Sequence, residues 1–294
     1  MLESVLPDEI ISALKKLNEK NIYEIRIRDG KTVKVNYSGR YISLTYNNKP
    51  IVSDIGTCAR IMTKACDFSL YSINNQIIQG FVSAEHGARI GLCGEIVREN
   101  DGIKTVKNFN SLNIRIPHDV AGCAGEIFRH VFADRSVCNS LIVSPPGKGK
   151  TTMLRDLSRK LSEENLNVLI VDERNEICAV NAGKPYYDIG ENCDVITFGG
   201  KDFALSYGIR TMAPDVIVTD ELMSAQDAAA VSLAMAGGVS VIASVHAGGI
   251  EELKSKSYLK ELFAAGTVEK YIVLSSEEIG KLKGVYDRDF RRVK

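Results

Sequence analysis

The feature that most constrains the fold of this chain is a glycine-rich loop between an apolar strand and a helix. Residues 140–144 read SLIVS, residues 145–149 read PPGKG, and a helical pattern begins at Lys150. Backbone N–H groups converge on phosphate oxygens in such a loop, and glycine is needed where a Cβ would block their approach. The order of strand, glycine loop and helix therefore predicts a phosphate site at the edge of a parallel sheet.

The loop follows the pattern G-x-x-x-x-G-K-[S/T] except at its first position, where Ser144 replaces glycine. Serine suits this position if its φ stays negative, because the residue only has to leave the strand, and the two prolines after it stiffen that exit. Lys150 is predicted to neutralise the β- and γ-phosphates, and Thr151 to offer its hydroxyl to Mg²⁺. The alternative, a chance G-K-T on a turn, is disfavoured by the flanking strand and helix. The residues predicted to bind the nucleotide, ATP, are Ser144, Pro145, Pro146, Gly147, Lys148, Gly149, Lys150, Thr151 and Thr152.

Adjacent carboxylates end a second apolar strand, in the segment PDVIVTDE at residues 214–221. Asp220 is predicted to bind Mg²⁺ and Glu221 to polarise the attacking water. A solvated acidic pair is the alternative. The two adjacent carboxylates favour hydrolysis of the nucleotide over binding alone.

Two more strand ends carry candidate residues. The segment VLIVDERNEI places Asp172, Glu173 and Glu176 after a strand, where they either cap a helix or organise Mg²⁺ and water; Glu173 joins the predicted metal site. The segment VIASVHAGG ends a strand with His246, which is predicted to sense the γ-phosphate, the alternative being a structural histidine.

Composition limits the partners that the chain can have. Lys plus Arg and Asp plus Glu both number 37, so the formal net charge is zero and no polyanionic partner is indicated. We expect no nucleic-acid partner, because the sequence has no basic stripe interleaved with aromatic residues and has no tryptophan. A nucleic-acid-stimulated ATPase remains an alternative. The seven cysteines include no C-x-x-C and are expected to be reduced thiols.

The sequence also bears on location and on domain organisation. We expect no secretory signal and no insertion into a membrane, since the N-terminus lacks a basic start and no apolar run approaches about 18 residues. Strands and helices alternate from residue 139, which predicts a RecA-like α/β P-loop domain with a mostly parallel sheet over 139–294. A smaller α+β domain is predicted over 1–118, joined by a linker helix over 119–138.

With these motifs in order, residues 139–275 resemble the ATPase domain of type II and type IV secretion ATPases. The resemblance rests on the glycine loop, DERNE, GIRTMAPDVIVTDE and SVHAGG. It matches Arg210 to the arginine that this group carries before Pro-Asp. Two positions depart from the pattern: Asp220 stands where glycine is usual, and Met223 stands where an arginine is usual.

Over nearly its whole length, the chain resembles the stage III sporulation protein AA family of spore-forming bacteria. The segments YEIRIRDGKTVKV, EHGARIGLCGEIV, SLNIRIPHDVAGCAGEIF and SPPGKGKTTMLRDLSR carry this resemblance. It implies a Mg²⁺-dependent ATPase in the mother-cell cytoplasm, peripheral at the membrane through membrane-protein components of a channel to the forespore. The likeness to secretion ATPases further implies a homo-oligomer, a hexameric ring.

In such rings the N-terminal domain contributes arginines near the nucleotide. Arg115 in LNIRI is the first candidate, with Arg89 and Arg210 behind it; a surface salt bridge is the alternative for each. A second functional reading also stays open. A nucleotide-gated scaffold that assembles under a membrane partner with little turnover would have the same site residues.

Overall fold

The computed structural model describes two compact units. It covers residues 2–66, 74, 76–78, 80–99, 102–118, 120–180, 183–197 and 199–293. The first unit comprises Met1–His118 with Ala179–Tyr186, and the second comprises Asp119–Cys178 with Tyr187–Lys294. The segment 179–186, predicted within the second domain, groups with the first unit because it packs at Gly87. A Cβ there would lie 2.8 Å from Ala179 and 3.0 Å from Tyr186.

The first unit is built on an antiparallel sheet of six strands in the order β3-β2-β1-β8-β7-β6, with a separate β4–β5 hairpin. Its elements are α1 Asp8–Leu14, β1 Ile22–Arg28, β2 Lys34–Tyr37, β3 Arg40–Ser43, β4 Thr45–Tyr46, β5 Lys49–Pro50, α2 Thr57–Cys66, β6 Phe81–Ser83, β7 Arg89–Glu99 and β8 Gly102–Arg115, with short 3-10 turns at Glu19–Asn21 and Glu85–Gly87.

Apolar side chains at alternate positions of the strands give this sheet one buried face. Ile25 and Ile27 on β1 are fully buried, as are Ile90 on β7 and Ile114 on β8, so one face of the sheet forms the core of the unit. The predicted α+β character is confirmed. The apolar spacing of Ile10, Ile11 and Leu14 in the sequence also predicts a short helix after Pro7, and the structure has it as α1. The sequence also has a helical apolar pattern over 69–79 and a turn pattern in Asn-Asp-Gly at 100–102, but these two segments lie largely outside the described residues.

The second unit is built on a sheet of seven strands in the order β13-β12-β14-β15-β11-β16-β17. All neighbours are parallel except β17, which runs antiparallel to β16. Its elements are α3 Gly125–Val131, β9 Phe132–Ala133, β10 Ser136–Val137, β11 Ser140–Ser144, α4 Lys150–Glu163, β12 Val168–Asp172, β13 Cys193–Thr197, α5 Lys201–Met212, β14 Val216–Glu221, α6 Ala225–Ala236, β15 Ser240–His246, α7 Ile250–Ser255, a 3-10 turn Ser257–Leu259, α8 Lys260–Ala264, β16 Lys270–Leu274 and β17 Leu282–Asp287.

The predicted α/β fold with a mostly parallel sheet is confirmed, and its topology positions the site. Strands β11 and β12 are buried at every residue, as expected for parallel strands covered on both faces. Strands β11, β12, β14 and β15 are parallel, so their carboxyl ends meet at one edge, where ligands bind in such sheets.

The linker helix predicted over 119–138 requires correction. The helix spans only Gly125–Val131, and a β-hairpin of β9 and β10 follows it. Asp134 and Arg135 connect the two strands with φ values of 51° and 61°, the left-handed pair that a two-residue hairpin turn requires. Over the described residues, no helix is long and apolar enough to cross a membrane.

Candidate functional site

A cavity of about 410 Å³ lies at the carboxyl ends of β11, β14 and β15. This volume falls within the range of small-molecule sites. The glycine loop, the first turn of α4 and the neighbouring strand ends contribute its lining: Pro146, Gly147, Gly149, Lys150, Thr151, Thr152, Arg174, Glu176, Asp220, Glu221, Ser244, His246 and Ile279.

The backbone of the loop has the conformation that a phosphate cradle requires. Gly147 and Gly149 have φ values of 72° and 91°, which side chains with a Cβ rarely adopt. Ser144 ends β11 with extended backbone and is fully buried, so the serine fits at the first position of the loop. Helix α4 begins at Lys150, and its N-terminus at the cavity favours an anion.

Lys150 is buried at the floor of this cavity. Its Nζ donates to the Ser144 carbonyl at 3.0 Å, to the Pro145 carbonyl at 3.4 Å and to His246 Nδ1 at 2.6 Å. Burial lowers the pKa of Lys150 to about 8, and the nearby Glu221 carboxylate opposes that shift. The ammonium is therefore held by neutral acceptors and costs free energy to keep charged.

His246 connects Lys150 to Glu221. Because an ammonium has no lone pair, Nδ1 of His246 must accept from Lys150, which leaves the ring proton on Nε2. Nε2 lies 3.1 Å from Glu221 Oε2 and donates to it. Burial and the Lys150 charge lower the pKa of His246, which agrees with a neutral ring. A continuous chain of contacts thus joins the loop lysine to the carboxylate at the end of β14.

Asp220 and Glu173 share a buried lysine that the sequence analysis did not single out. Lys201 Nζ lies 2.5 Å from Asp220 Oδ1 and 2.8 Å from Glu173 Oε2, and the lysine side chain is 1% exposed. Burial raises the pKa of Asp220 to about 6, and Lys201 opposes that shift. Burial alone would lower the pKa of Lys201, but the two carboxylates outweigh it and raise that pKa. Asp220 lines the cavity, whereas the Glu173 carboxylate is directed to Lys201.

The turn after β12 is organised by Asp172. Its two carboxylate oxygens accept from the backbone N–H groups of Glu176, Ile177 and Cys178 at 2.9 to 3.0 Å, so Asp172 stabilises a turn; among the described residues that follow it before β13, none begins a helix that it could cap. The turn directs Arg174 to the cavity, where its guanidinium donates to the Met223 sulfur at 3.0 Å. An arginine from the turn after β12 therefore contacts Met223, the residue that stands where an arginine is usual in the secretion ATPases that the sequence resembles.

The three candidate arginines lie in different places. Arg89 and Arg115 face each other across β7 and β8 in the first unit. Arg89 stacks on Phe81 at 3.6 Å, and Arg115 is 66% exposed with Glu24 at 3.6 Å. Arg210 lies on α5 in the second unit, where its Nε donates to the Ser206 carbonyl, and it is not among the described lining residues.

The structure thus brings together most of the predicted site residues of the second unit. Four residues at this site were not predicted from the sequence: Lys201, Arg174, Ser244 and Ile279. Arg174 had a usable signal, since it lies inside DERNE at a strand end, and Ser244 lies two residues before His246 on the same strand. Lys201 and Ile279 had none, because a lysine at the start of a helix and an isoleucine in an acidic loop are both ordinary in sequence.

Comparisons with known proteins agree with this architecture. The profile of the family described as Sporulation stage III, protein AA, matches residues 4–293. Stage III sporulation protein AA of Bacillus subtilis (strain 168) is 33% identical over 297 residues, which cover 98% of this chain and 95% of that protein.

Two solved structures share the fold. The Legionella pneumophila ATPase DotB matches with a TM-score of 0.60 at 15% identity, covering 98% of this chain and 80% of that chain. The pilus retraction motor PilT with bound ADP matches with a TM-score of 0.57 at 15% identity, covering 91% and 78%. The chain therefore belongs to the sporulation stage III protein AA family and has the fold of these ATPases.

Proposed function

We propose that this chain is a Mg²⁺-dependent ATP hydrolase that acts in sporulation. The observation that carries the proposal is the chain of contacts from Lys150 through His246 to Glu221, at the floor of a cavity behind a glycine loop. Membership of the sporulation family and the fold shared with ATPases support the same activity. The phosphates would lie along residues 144–152, with the γ-phosphate toward His246.

The residues of this chain have distinct roles in the proposed reaction. Lys150 exchanges a strand carbonyl or His246 for phosphate oxygens, and the negative charge there favours its ammonium form. Glu221 accepts the hydrogen bond of His246 on one oxygen, which leaves its other oxygen to orient and deprotonate the attacking water. Arg174 lines the cavity and adds positive charge there, which would stabilise the negative charge on the γ-phosphoryl group as it passes from ADP to water.

The donors present fit Mg²⁺ that arrives with the nucleotide. Thr151 and Asp220 line the cavity and would hold the ion, which would neutralise charge on the β- and γ-phosphates. Within the described residues, no group of three His, Cys, Asp or Glu side chains is placed to hold a metal. Mg²⁺ characteristically uses one or two carboxylates together with phosphates and water. Glu173, the third predicted ligand, contributes through Lys201 in this arrangement.

The finer proposal is a hexameric secretion-type motor of a channel between mother cell and forespore. It follows the resemblance to secretion ATPases, in which a neighbouring subunit's arginine completes the site. Arg115 remains the first candidate for that role because it is two-thirds exposed, with Arg89 directly opposite it on the next strand. Arg210 is the remaining candidate. The partners would be membrane proteins of the channel, approached from the mother-cell cytoplasm, with no nucleic acid required.

The test is phosphate release per subunit, measured over a hundredfold range of protein concentration. We expect specific activity to rise with concentration, to vanish in Glu221→Gln while ATP binding persists, and to fall in Arg115→Ala. Arg28→Ala, at the end of β1 in the same sheet, is the matched control and is expected to keep wild-type turnover.

Three results would contradict the proposal in different ways. ATP binding and ATP-dependent assembly with phosphate release at the Glu221→Gln background would identify a nucleotide-gated scaffold. Salt-sensitive stimulation by single-stranded DNA would favour a nucleic-acid-stimulated ATPase. Unchanged turnover in Arg115→Ala would remove that residue from the site while leaving the hydrolase in place.

A further inference from the structure

The loop between β16 and β17 is joined to the glycine loop. Gly280 N–H donates to the Lys148 carbonyl at 3.1 Å. The loop is also closed on itself, because Ser275 N–H donates to the Lys281 carbonyl at 2.7 Å and Ser275 Oγ accepts from two following N–H groups. Residues 275–281 therefore form an ordered wall beside the glycine loop.

Ile279 is the apolar side chain that this wall presents. It is 73% exposed and lines the cavity. Its Cγ2 lies 3.5 Å from the position that a Cβ on Gly149 would occupy. An isoleucine left this exposed at the mouth of a polar cavity gains free energy when a flat apolar group covers it.

The order of the sheet fixes the direction in which a nucleotide would lie. Strands β15 and β14 follow β11 on one side, and they carry His246 and Glu221; strands β16 and β17 follow β11 on the other side. Lys150 reaches toward His246, so the γ-phosphate end belongs over β15 and β14. A nucleotide held in this way extends its nucleoside toward β16 and β17, where Ile279 lies.

The charge of the loop agrees with this direction. Glu277 and Glu278 precede Ile279 and are exposed, and Glu278 pairs with Lys281. Carboxylates in this place repel phosphates, whereas they leave the contact between an apolar side chain and a base unaffected.

We infer that the β16–β17 loop is the nucleoside-binding wall of the site, with Ile279 packed against the face of the base. This inference rests on the proposed nucleotide site and adds the group that holds the base. Because an isoleucine contacts the face of a base and reads none of its hydrogen-bonding edges, the contact contributes affinity without selecting adenine over guanine.

The test compares ligands that share phosphates but differ in the nucleoside. Isothermal titration calorimetry of the full chain with MgATP, MgADP and Mg-tripolyphosphate is repeated for Ile279→Ala, Ile279→Val and Leu233→Ala. Leu233 is the matched control, since it is 77% exposed on α6 and is not among the described lining residues. We expect Ile279→Ala to weaken ATP and ADP about tenfold, Ile279→Val to weaken them about twofold, and the control to change nothing.

The affinity for tripolyphosphate distinguishes contact with the nucleoside from support of the glycine loop. An unchanged tripolyphosphate affinity in Ile279→Ala, beside the weakened ATP and ADP, supports contact with the nucleoside. An equal loss for all three ligands would overturn the inference, because it would mean that the loop only supports the glycine loop. Unchanged ATP affinity would overturn it as well. If the wild-type chain bound tripolyphosphate but not ATP, the inference about the nucleoside-binding wall would be wrong and the phosphate site would still be supported. If it bound neither ligand, the proposed ATP hydrolase function would itself be contradicted.

Discussion

Replacing Lys201 by methionine tests how the acidic end of the site is held together. The lysine side chain is 1% exposed and lies between Asp220 and Glu173. Lys201→Met keeps most of the length of the side chain and removes the ammonium, so two carboxylates lose their shared cation. The Asp220 carboxyl already has a pKa of about 6 against an ordinary 3.8, a difference of about two units, or ~3 kcal/mol of cost for its ionised form.

Without Lys201 this cost rises, because the ammonium opposes the effect of burial on the pKa of Asp220. We expect the free energy of unfolding at pH 8 to fall by about 3 to 5 kcal/mol. The pKa of Asp220 is raised in the folded state, so the folded protein binds more protons between 3.8 and that raised pKa, and stability increases as the pH falls through this window. The loss in Lys201→Met should therefore be about half as large at pH 5 as at pH 8.

The assay is urea unfolding followed by circular dichroism, since the chain has no tryptophan for fluorescence. Asp220→Asn and the double variant complete a double-mutant cycle. The unfolding free energy lost by the double variant should be smaller than the sum of the two single losses by at least about 1 kcal/mol. Lys254→Met is the matched control, because Lys254 pairs with Glu251 at 2.9 Å on an exposed surface and should cost less than about 1 kcal/mol. A loss no larger than that of the control, or one that is the same at pH 5 and pH 8, would refute the reasoning.

Three further predictions concern the glycine loop, the histidine and the turn before α3. Gly149→Ala, at a φ of 91°, should weaken MgATP binding at least tenfold with an unchanged circular dichroism spectrum, and wild-type affinity would contradict the strain argument. His246→Asn should lower kcat by about 100-fold while ATP affinity stays within about threefold, and a loss confined to affinity would count against a role in turnover. Asp156 accepts from Gly122 N–H at 2.9 Å and Ala124 N–H at 2.7 Å. Burial alone would raise its pKa, but these donors and Arg159 outweigh it and hold it below 3.8. Asp156→Asn should therefore lower the free energy of unfolding by about 1 to 3 kcal/mol at every pH above 5, and this loss should become smaller only below pH 3.8. A loss that already varied between pH 5 and pH 7 would contradict this.

The parallel strands were predictable because each is a short, nearly unbroken apolar run. Strand β17 was not, since LKGVYD mixes lysine, glycine and aspartate without a period. Its identity as a strand comes from pairing with β16, in which Val285 faces Ile272. Pairing between distant segments leaves no local pattern, so an antiparallel strand at the end of a parallel sheet was invisible from the sequence.

The predicted extent of the linker helix, 119–138, was wrong for a related reason. The apolar spacing over Ile127 and Val131 is helical, and the structure confirms a helix there. Phe132 and Val137 continue to look apolar and helical in sequence, but they pair with each other in the β9–β10 hairpin. The turn at Asp134 and Arg135 contains neither asparagine nor glycine, so the usual signal of a two-residue hairpin was missing.

Within the site, the position of a residue was easier to predict than its partner. A residue at the carboxyl end of a parallel strand is directed to the cavity by the topology alone, which is why Asp220, Glu221 and His246 all line it. Lys201 follows two glycines at the start of a helix, where lysine is ordinarily solvated, and its burial between two carboxylates depends on how α5 packs against the sheet.

The contacts of Lys150, which the sequence did not reveal, determine how a nucleotide would enter the proposed site. An ammonium has three donors, and here two carbonyls and His246 use them all. A phosphate oxygen can therefore bind Lys150 only by displacing one of these acceptors. If it displaces His246, the positive charge that lowers the pKa of the imidazole moves away from the ring and a phosphate takes its place, so the histidine becomes a stronger base while it still contacts Glu221. In the proposed hydrolase, nucleotide and histidine would thus compete for one ammonium, and that competition would transmit the presence of the γ-phosphate to Glu221, the proposed water-orienting carboxylate.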